Sequence, residues 1–92
     1  MTDAPLAPGI RWTRQLRAEK PGYLVLVKLG DFWEAFEQDA QVLAQELQLT
    51  LTQRAGVPMA GFPHWTLTRY LKQLIAAGHK VTLAHEVDMP AA

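Results

Sequence analysis

Residues 23–27 read Tyr-Leu-Val-Leu-Val, and this run decides the fold because it is apolar throughout rather than alternating. The run is short, partly β-branched and bounded by Gly22 and Gly30. Such a pattern is typical of a central strand that is buried on both faces. With helices before and after it, this strand predicts an α/β layer structure.

Two helices are predicted around this strand. The first covers Gly9–Lys20, with Ile10, Thr13 and Leu16 inward, and it ends at Pro21-Gly22. The second covers Asp31–Leu47. In it Asp31 is the expected N-cap, and Glu34, three residues later, completes a capping box. One apolar stripe follows at steps of three and four residues, made of Trp33, Phe36, Ala40, Leu43 and Leu47.

The second half of the chain predicts two strands, a helix and a last strand. Residues 49–53 alternate apolar and polar side chains, so we expect a strand with one buried and one wet face, and residues 59–62 form a short second arm. After Pro63 a helix is predicted from the stripe Leu67, Tyr70, Leu71, Leu74 and Ile75, with Gly78 as its C′ residue. Residues 80–87 alternate again, with Val81, Leu83, His85 and Val87 on one side. The predicted order is αβα-ββ-αβ, an α+β-type mixed sheet flanked by three helices.

The length of 92 residues and mass of 10.3 kDa indicate one small domain. We expect a flexible tail over residues 1–8, a domain over 9–88 and a short tail over 89–92. The chain has no cysteine, no phosphate-loop motif, no apolar run long enough to span a bilayer and no signal-peptide pattern. These features favour a cytoplasmic protein without ATPase activity or membrane contact.

Charge is balanced overall but is unevenly distributed. The formal net charge is zero, whereas residues 31–50 hold five acidic and no basic side chains. The simplest interpretation is a solvated, uncompensated acidic helix face. A neutral total argues mildly against a dedicated nucleic-acid binder, and the acidic helix is an unfavourable neighbour for DNA.

Four short motifs resemble one known family. Gly30-Asp31-Phe32-Trp33-Glu34 follows the apolar strand, Leu49-Thr50-Leu51-Thr52-Gln53-Arg54 comes next, then Pro58-Met59-Ala60-Gly61-Phe62-Pro63, and finally Tyr70-Leu71 with Gly78. In this order and spacing they are similar to the mismatch-recognition domain at the N-terminus of MutS proteins. The resemblance covers roughly residues 10–88. His64-Trp65 departs from it, because the family has Tyr-His there.

The resemblance implies a mixed sheet with flanking helices and a role in binding mispaired or distorted duplex DNA. It implies that Phe32 wedges beside a mispaired base and that Glu34 hydrogen-bonds the edge of that base. It also implies that Lys28 and Arg54 lie near the DNA-facing side. From the residues alone, Phe32 is interpreted as a core residue and Glu34 as a capping-box residue, whereas Lys28 and Arg54 are equally explained as solvated charges at strand ends.

No motif indicates catalysis, a metal site or a cofactor. The three histidines, His64, His79 and His85, lack metal-ligand spacing, and no Ser or Thr lies in a nucleophile motif. We therefore expect a protein that is not an enzyme.

Two functions stay open. The first is a DNA-binding module that recognises mismatched or unpaired bases through Phe32 and Glu34. The second is a protein-interaction module that keeps the fold without DNA recognition and docks on a repair protein or forms a homodimer. A DNA-reading role needs Phe32 exposed beside Lys28 or Arg54, whereas an interaction module is compatible with a buried Phe32.

Overall fold

A computed structural model describes residues 8–90, and these form five strands and three α-helices. The expected tail over residues 1–8 lies outside the described residues except for Pro8. The elements are α1 (Pro8–Glu19), β1 (Tyr23–Leu29), β2 (Phe32–Phe36), α2 (Gln38–Leu47), β3 (Thr52–Arg54), β4 (Val57–Pro63), α3 (Leu67–Ala76) and β5 (Lys80–His85). Short 3₁₀ turns cover His64–Thr66 and Glu86–Asp88.

The sheet has the order β3-β4-β2-β1-β5 and is mixed. β1 pairs in parallel with β5, and the other three pairings are antiparallel. The predicted mixed α+β architecture with three helices is therefore confirmed. No helix among the described residues is long and apolar enough to cross a membrane.

The central strand β1 is buried on both faces, as its continuous apolar run predicts. Val25 and Val27 pack on one face with Ile10 and Trp12 of α1, while Leu24 and Leu26 pack on the other. The second cluster also contains Leu43 of α2, Leu74 of α3 and the β2 residues Trp33 and Ala35. The sheet thus lies between α1 on one side and α2 with α3 on the other.

The predicted helix over residues 31–47 is wrong in its first third. Residues 32–36 form β2, which turns back on β1 through a two-residue loop with Gly30 at φ +61°. Glycine at the first loop position suits a tight hairpin, so Asp31 is a turn residue and not an N-cap. The helix begins only at Gln38, after Glu37 at φ +62°, and no side chain caps it. Ala40, Leu43 and Leu47 are buried as predicted.

The boundaries of other elements also differ from those predicted. The strand predicted over residues 49–53 is β3 at Thr52–Arg54, and it is exposed throughout rather than half-buried, because it is a short edge strand. The last strand ends at His85, and Val87 is 78% exposed in the following turn. Ile75, expected on the buried stripe of α3, is 59% exposed. Gly78 does follow α3 at φ +94°, where the amides of Gly78 and His79 bond back to Ile75 and Leu74.

Candidate nucleic-acid interface

Phe32 lies at the first position of β2, directly after the hairpin turn. Its side chain is 44% exposed, although the rest of β2 is buried. Alternation along the strand puts Phe32 on the same face as Glu34 and Phe36, the face covered by α1. Phe36 is fully buried there, the charged Glu34 follows toward the hairpin turn, and Phe32 emerges at the end of the sheet.

Glu34 is almost completely buried, with its residue 5% exposed. The guanidinium Nη1 of Arg54 lies 3.0 Å from its carboxylate Oε1 and donates a hydrogen bond to it. No group of residues 8–90 donates to the other oxygen, Oε2. Burial raises the pKa of the Glu34 carboxyl, and the nearby Arg54 charge opposes that rise. The capping role predicted for Glu34 is wrong, because the residue belongs to a strand and pairs with Arg54.

Gly61 lies opposite Glu34 in the β2–β4 register and makes room for it. A Cβ at position 61 would lie 2.7 Å from the Trp33 carbonyl oxygen and 3.1 Å from Cγ of Glu34. Even alanine would therefore force the two strands apart or displace Glu34. Glycine inside a strand often marks such a close approach, although the motif at residues 58–63 by itself indicates no role for Gly61.

An open groove of about 470 Å³ connects these residues. Phe32, Glu34 and Arg54 line it, together with Thr50 and Thr52 and an apolar set made of Leu49, Met59, Ala60 and Gly61. One aromatic ring, one carboxylate and one guanidinium therefore meet at one end of the sheet. Arg54 has a half-exposed side chain, so its charge also reaches the solvent.

Lys28 does not join this group. It pairs with Trp33 in the β1–β2 register, which puts it on the opposite face of the sheet from Phe32 and Glu34. Its Nζ donates to the carbonyl of Gly30 at 2.8 Å, so it bonds the hairpin turn from the other side. Of the four predicted site residues, three come together and the fourth flanks them across the sheet.

The acidic segment is not the uncompensated, solvated face that the charge run predicts. Glu34 pairs with Arg54, Glu46 with His79 at 2.8 Å, and Glu37 with both Arg14 and Arg17. Asp39 is buried and accepts a hydrogen bond from the Val25 amide at 3.1 Å. The arginines come from segments outside residues 31–50, which is why counting charges along the chain missed them.

Among residues 8–90 no group of three or more His, Asp or Glu side chains is arranged to hold a metal ion. The groove lining offers an aromatic surface beside a hydrogen-bond donor and an acceptor. Such a surface can stack on a planar ring and bond its edge.

Comparison with known proteins identifies one family of similar sequences. The family model for MutS domain I matches residues 7–92. Proteins named DNA mismatch repair protein MutS are 41% identical in Chlamydia abortus over 88 residues, 41% in Chlamydia pneumoniae over 91 and 40% in Petrotoga mobilis over 85. These alignments cover 96%, 99% and 92% of this chain. The chain spans only 10–11% of the length of those relatives.

Proposed function

This chain belongs to the MutS domain I family, and we propose that it binds duplex DNA at mispaired or unpaired bases through Phe32 and Glu34. The observation that carries the proposal is the 44% exposure of Phe32 beside the Glu34–Arg54 pair. A buried Phe32 would have removed the only aromatic ring that lines the groove among residues 8–90. The names of the relatives, all mismatch repair proteins, support the same role.

In this mechanism Phe32 enters beside the weakened base pair and stacks on one base. A mispaired step unstacks at lower cost than a paired step, and an inserted apolar side chain then kinks the duplex. Stacking of a base on an aromatic ring contributes about 1–3 kcal/mol. The hairpin turn presents Phe32 at the end of a rigid sheet, so the ring loses little freedom on binding.

Glu34 supplies the polar contact. Its Oε2 has no donor among residues 8–90, so it can accept a hydrogen bond from a base N–H group. Arg54 holds the other oxygen and neutralises the carboxylate, which lowers its repulsion from phosphates. Lys28 contributes from the far face of the sheet as a contact to a phosphate.

The test is the affinity of the purified chain for a fluorescent duplex with one G·T mismatch, measured by anisotropy against the matched duplex at low and moderate salt. We expect a preference for the mismatch of about fivefold or more that disappears in Phe32→Ala, since the lost stacking is worth about 1–3 kcal/mol. Ile75→Ala is the matched control, because Ile75 is another exposed apolar residue at the far end of α3. Equal affinity of the wild-type chain for both duplexes would contradict the proposal.

A second candidate function is protein interaction, and the exposed edge of β5 favours it. This strand is the edge of the sheet, so its outer backbone groups have no strand partner among the described residues, and Leu83 on it is 41% exposed. Exposed edge strands pair readily with a strand of another chain. Self-association that is lost on introducing a proline at Thr82, with no mismatch preference, would favour this second function over the first.

A further inference from the structure

We infer that Trp65 is a second aromatic DNA contact, next to the Phe32 wedge. This inference rests on the proposed function, and it adds a residue that neither the motif resemblance nor the groove contains. Trp65 is 72% exposed, although tryptophan is one of the most buried side chains on average. Its one aromatic partner among residues 8–90 is the ring of His64, at 5.4 Å between centroids.

The position of Trp65 follows from strand pairing. Phe32 pairs with Pro63 at the end of β4, and the amide of His64 donates to the carbonyl of Asp31 in the hairpin turn at 2.8 Å. Trp65 is two residues beyond Pro63, so its Cα lies within roughly 13 Å of that of Phe32, given about 5.5 Å between paired Cα atoms and about 3.8 Å between consecutive ones. A duplex rises about 3.4 Å per base, so both rings reach the same short stretch of DNA.

The two rings approach from different sides of the sheet end. Phe32 emerges on the α1 face, whereas the chain after Pro63 passes into α3 on the opposite face. Lys28 also lies on that opposite face. The end of the sheet therefore presents one aromatic ring on each side of the hairpin turn.

A cation accompanies Trp65. Arg69 lies four residues later, in the first turn of α3, whereas Trp65 lies in the 3₁₀ turn that leads into this helix. Its guanidinium stacks on the Tyr70 ring at 4.7 Å from the centroid, and its Nη2 donates a hydrogen bond to the Tyr70 hydroxyl at 3.0 Å. It is paired with no carboxylate among residues 8–90. An exposed indole with an oriented guanidinium that has no acidic partner suits a sugar and phosphate beside the wedged base.

Intrinsic fluorescence tests this inference directly. Trp12 and Trp33 are 7% and 8% exposed, so Trp65 dominates the fraction that acrylamide can quench. Unlabelled mismatched duplex is expected to protect that fraction. Trp65→Ala is expected to weaken binding to mismatched duplex about fivefold, Trp65→Phe to retain most of it, and Ile75→Ala to leave it unchanged.

The outcomes separate the inference from the proposed function. If the duplex binds with a preference that needs Phe32 while Trp65 stays quenchable and Trp65→Ala binds like the wild type, the inference is wrong and the function stands. If the wild-type chain shows no mismatch preference, both are wrong. If Trp65 becomes protected without DNA as protein concentration rises, the indole lies in a contact between copies of the chain, which also overturns the inference.

Discussion

At the residue scale, Glu34 is a buried charge with one partner. Because burial raises its pKa, the folded chain binds a proton at Glu34 more readily than the unfolded chain does. The stability that this group contributes is full below the ordinary carboxyl pKa and is lost as the pH rises through the folded-state pKa. Ionisation of the buried Glu34 carboxyl therefore weakens the fold as the pH rises.

Glu34→Gln is expected to remove this pH dependence. Relative to the wild type, the variant should gain stability as the pH rises from about 4 to 7, because only the wild type ionises a buried carboxyl over that range. Denaturant unfolding of both proteins across this range measures the difference, in which the other titrating groups cancel. If the difference between the two free energies of unfolding stays constant with pH, the pKa of Glu34 is not raised.

Gly61→Ala tests the close approach at the same site. The added Cβ meets the Trp33 carbonyl oxygen at 2.7 Å, and a backbone atom cannot move aside without shifting the strand. We expect the free energy of unfolding to fall by about 1–3 kcal/mol and the mismatch preference to fall with it. Gln53→Ala, at an exposed position on the neighbouring hairpin, is the control. Unchanged stability of Gly61→Ala would mean that β2 and β4 separate easily.

The candidate site was partly predictable from sequence. The motif around residues 30–34 and the arginine that ends the motif at residues 49–54 pointed to Phe32, Glu34 and Arg54, and these three line one groove. Lys28 is close in sequence to Phe32 and Glu34 but lies on the opposite face of the sheet. Side chains alternate between the two faces along a strand, and Lys28 pairs with Trp33. Trp65 could not be found from the motif, since it stands where the chain departs from the family pattern.

At the scale of elements, β2 explains the largest error. Trp33, Phe36, Ala40, Leu43 and Leu47 fit a helical stripe, yet Trp33 and Phe36 are buried on opposite faces of a strand. A short apolar run satisfies both periodicities, so only the turn at Gly30-Asp31 distinguished them. β1 was predictable because a short, unbroken apolar run bounded by glycines is typical of a strand that is buried on both faces.

The junction of β2 and α2 depends on ion pairs from α1. Glu37 has φ +62°, a conformation that costs energy for a residue with a side chain. Arg17 bonds its carboxylate at 2.6 Å and Arg14 at 2.7 Å, and Arg17 also lies 3.9 Å from Asp39. These contacts tie the start of α2 to α1 beyond the end of β2. They also lower the pKa of the Glu37 carboxyl, and the Arg14 hydrogen bond contributes most to this change.

Arg17→Ala is therefore expected to lower the free energy of unfolding by about 1–3 kcal/mol, because it leaves two partly buried carboxylates short of a partner. Arg14→Ala should cost less, since Arg14 is exposed and Glu37 keeps Arg17. Arg11→Ala is the control on the same helix, at an exposed position with no ion pair among residues 8–90. Thermal unfolding of the three variants gives the ranking, and equal losses for Arg17 and Arg11 would contradict this role.

At the scale of the whole molecule, the balance of charge is spatial rather than sequential. Arginines from both sides of the acidic segment pair with Glu34, Glu37 and Asp39, so most of its carboxylates have a cationic partner. The neutral total still gives little non-specific attraction to phosphates. The proposed recognition of DNA therefore depends on local contacts at the end of the sheet, where Phe32, the Glu34–Arg54 pair and Trp65 lie.

Binding of a mismatch at the end of the sheet is tested by mapping backbone amide NMR shifts during titration with a duplex that carries one G·T mismatch. We expect the largest shifts at residues 30–34, 54 and 61–65, and much smaller shifts with the matched duplex at the same concentration. Shifts centred on β5 and Val87, or equal small shifts for both duplexes, would contradict this expectation.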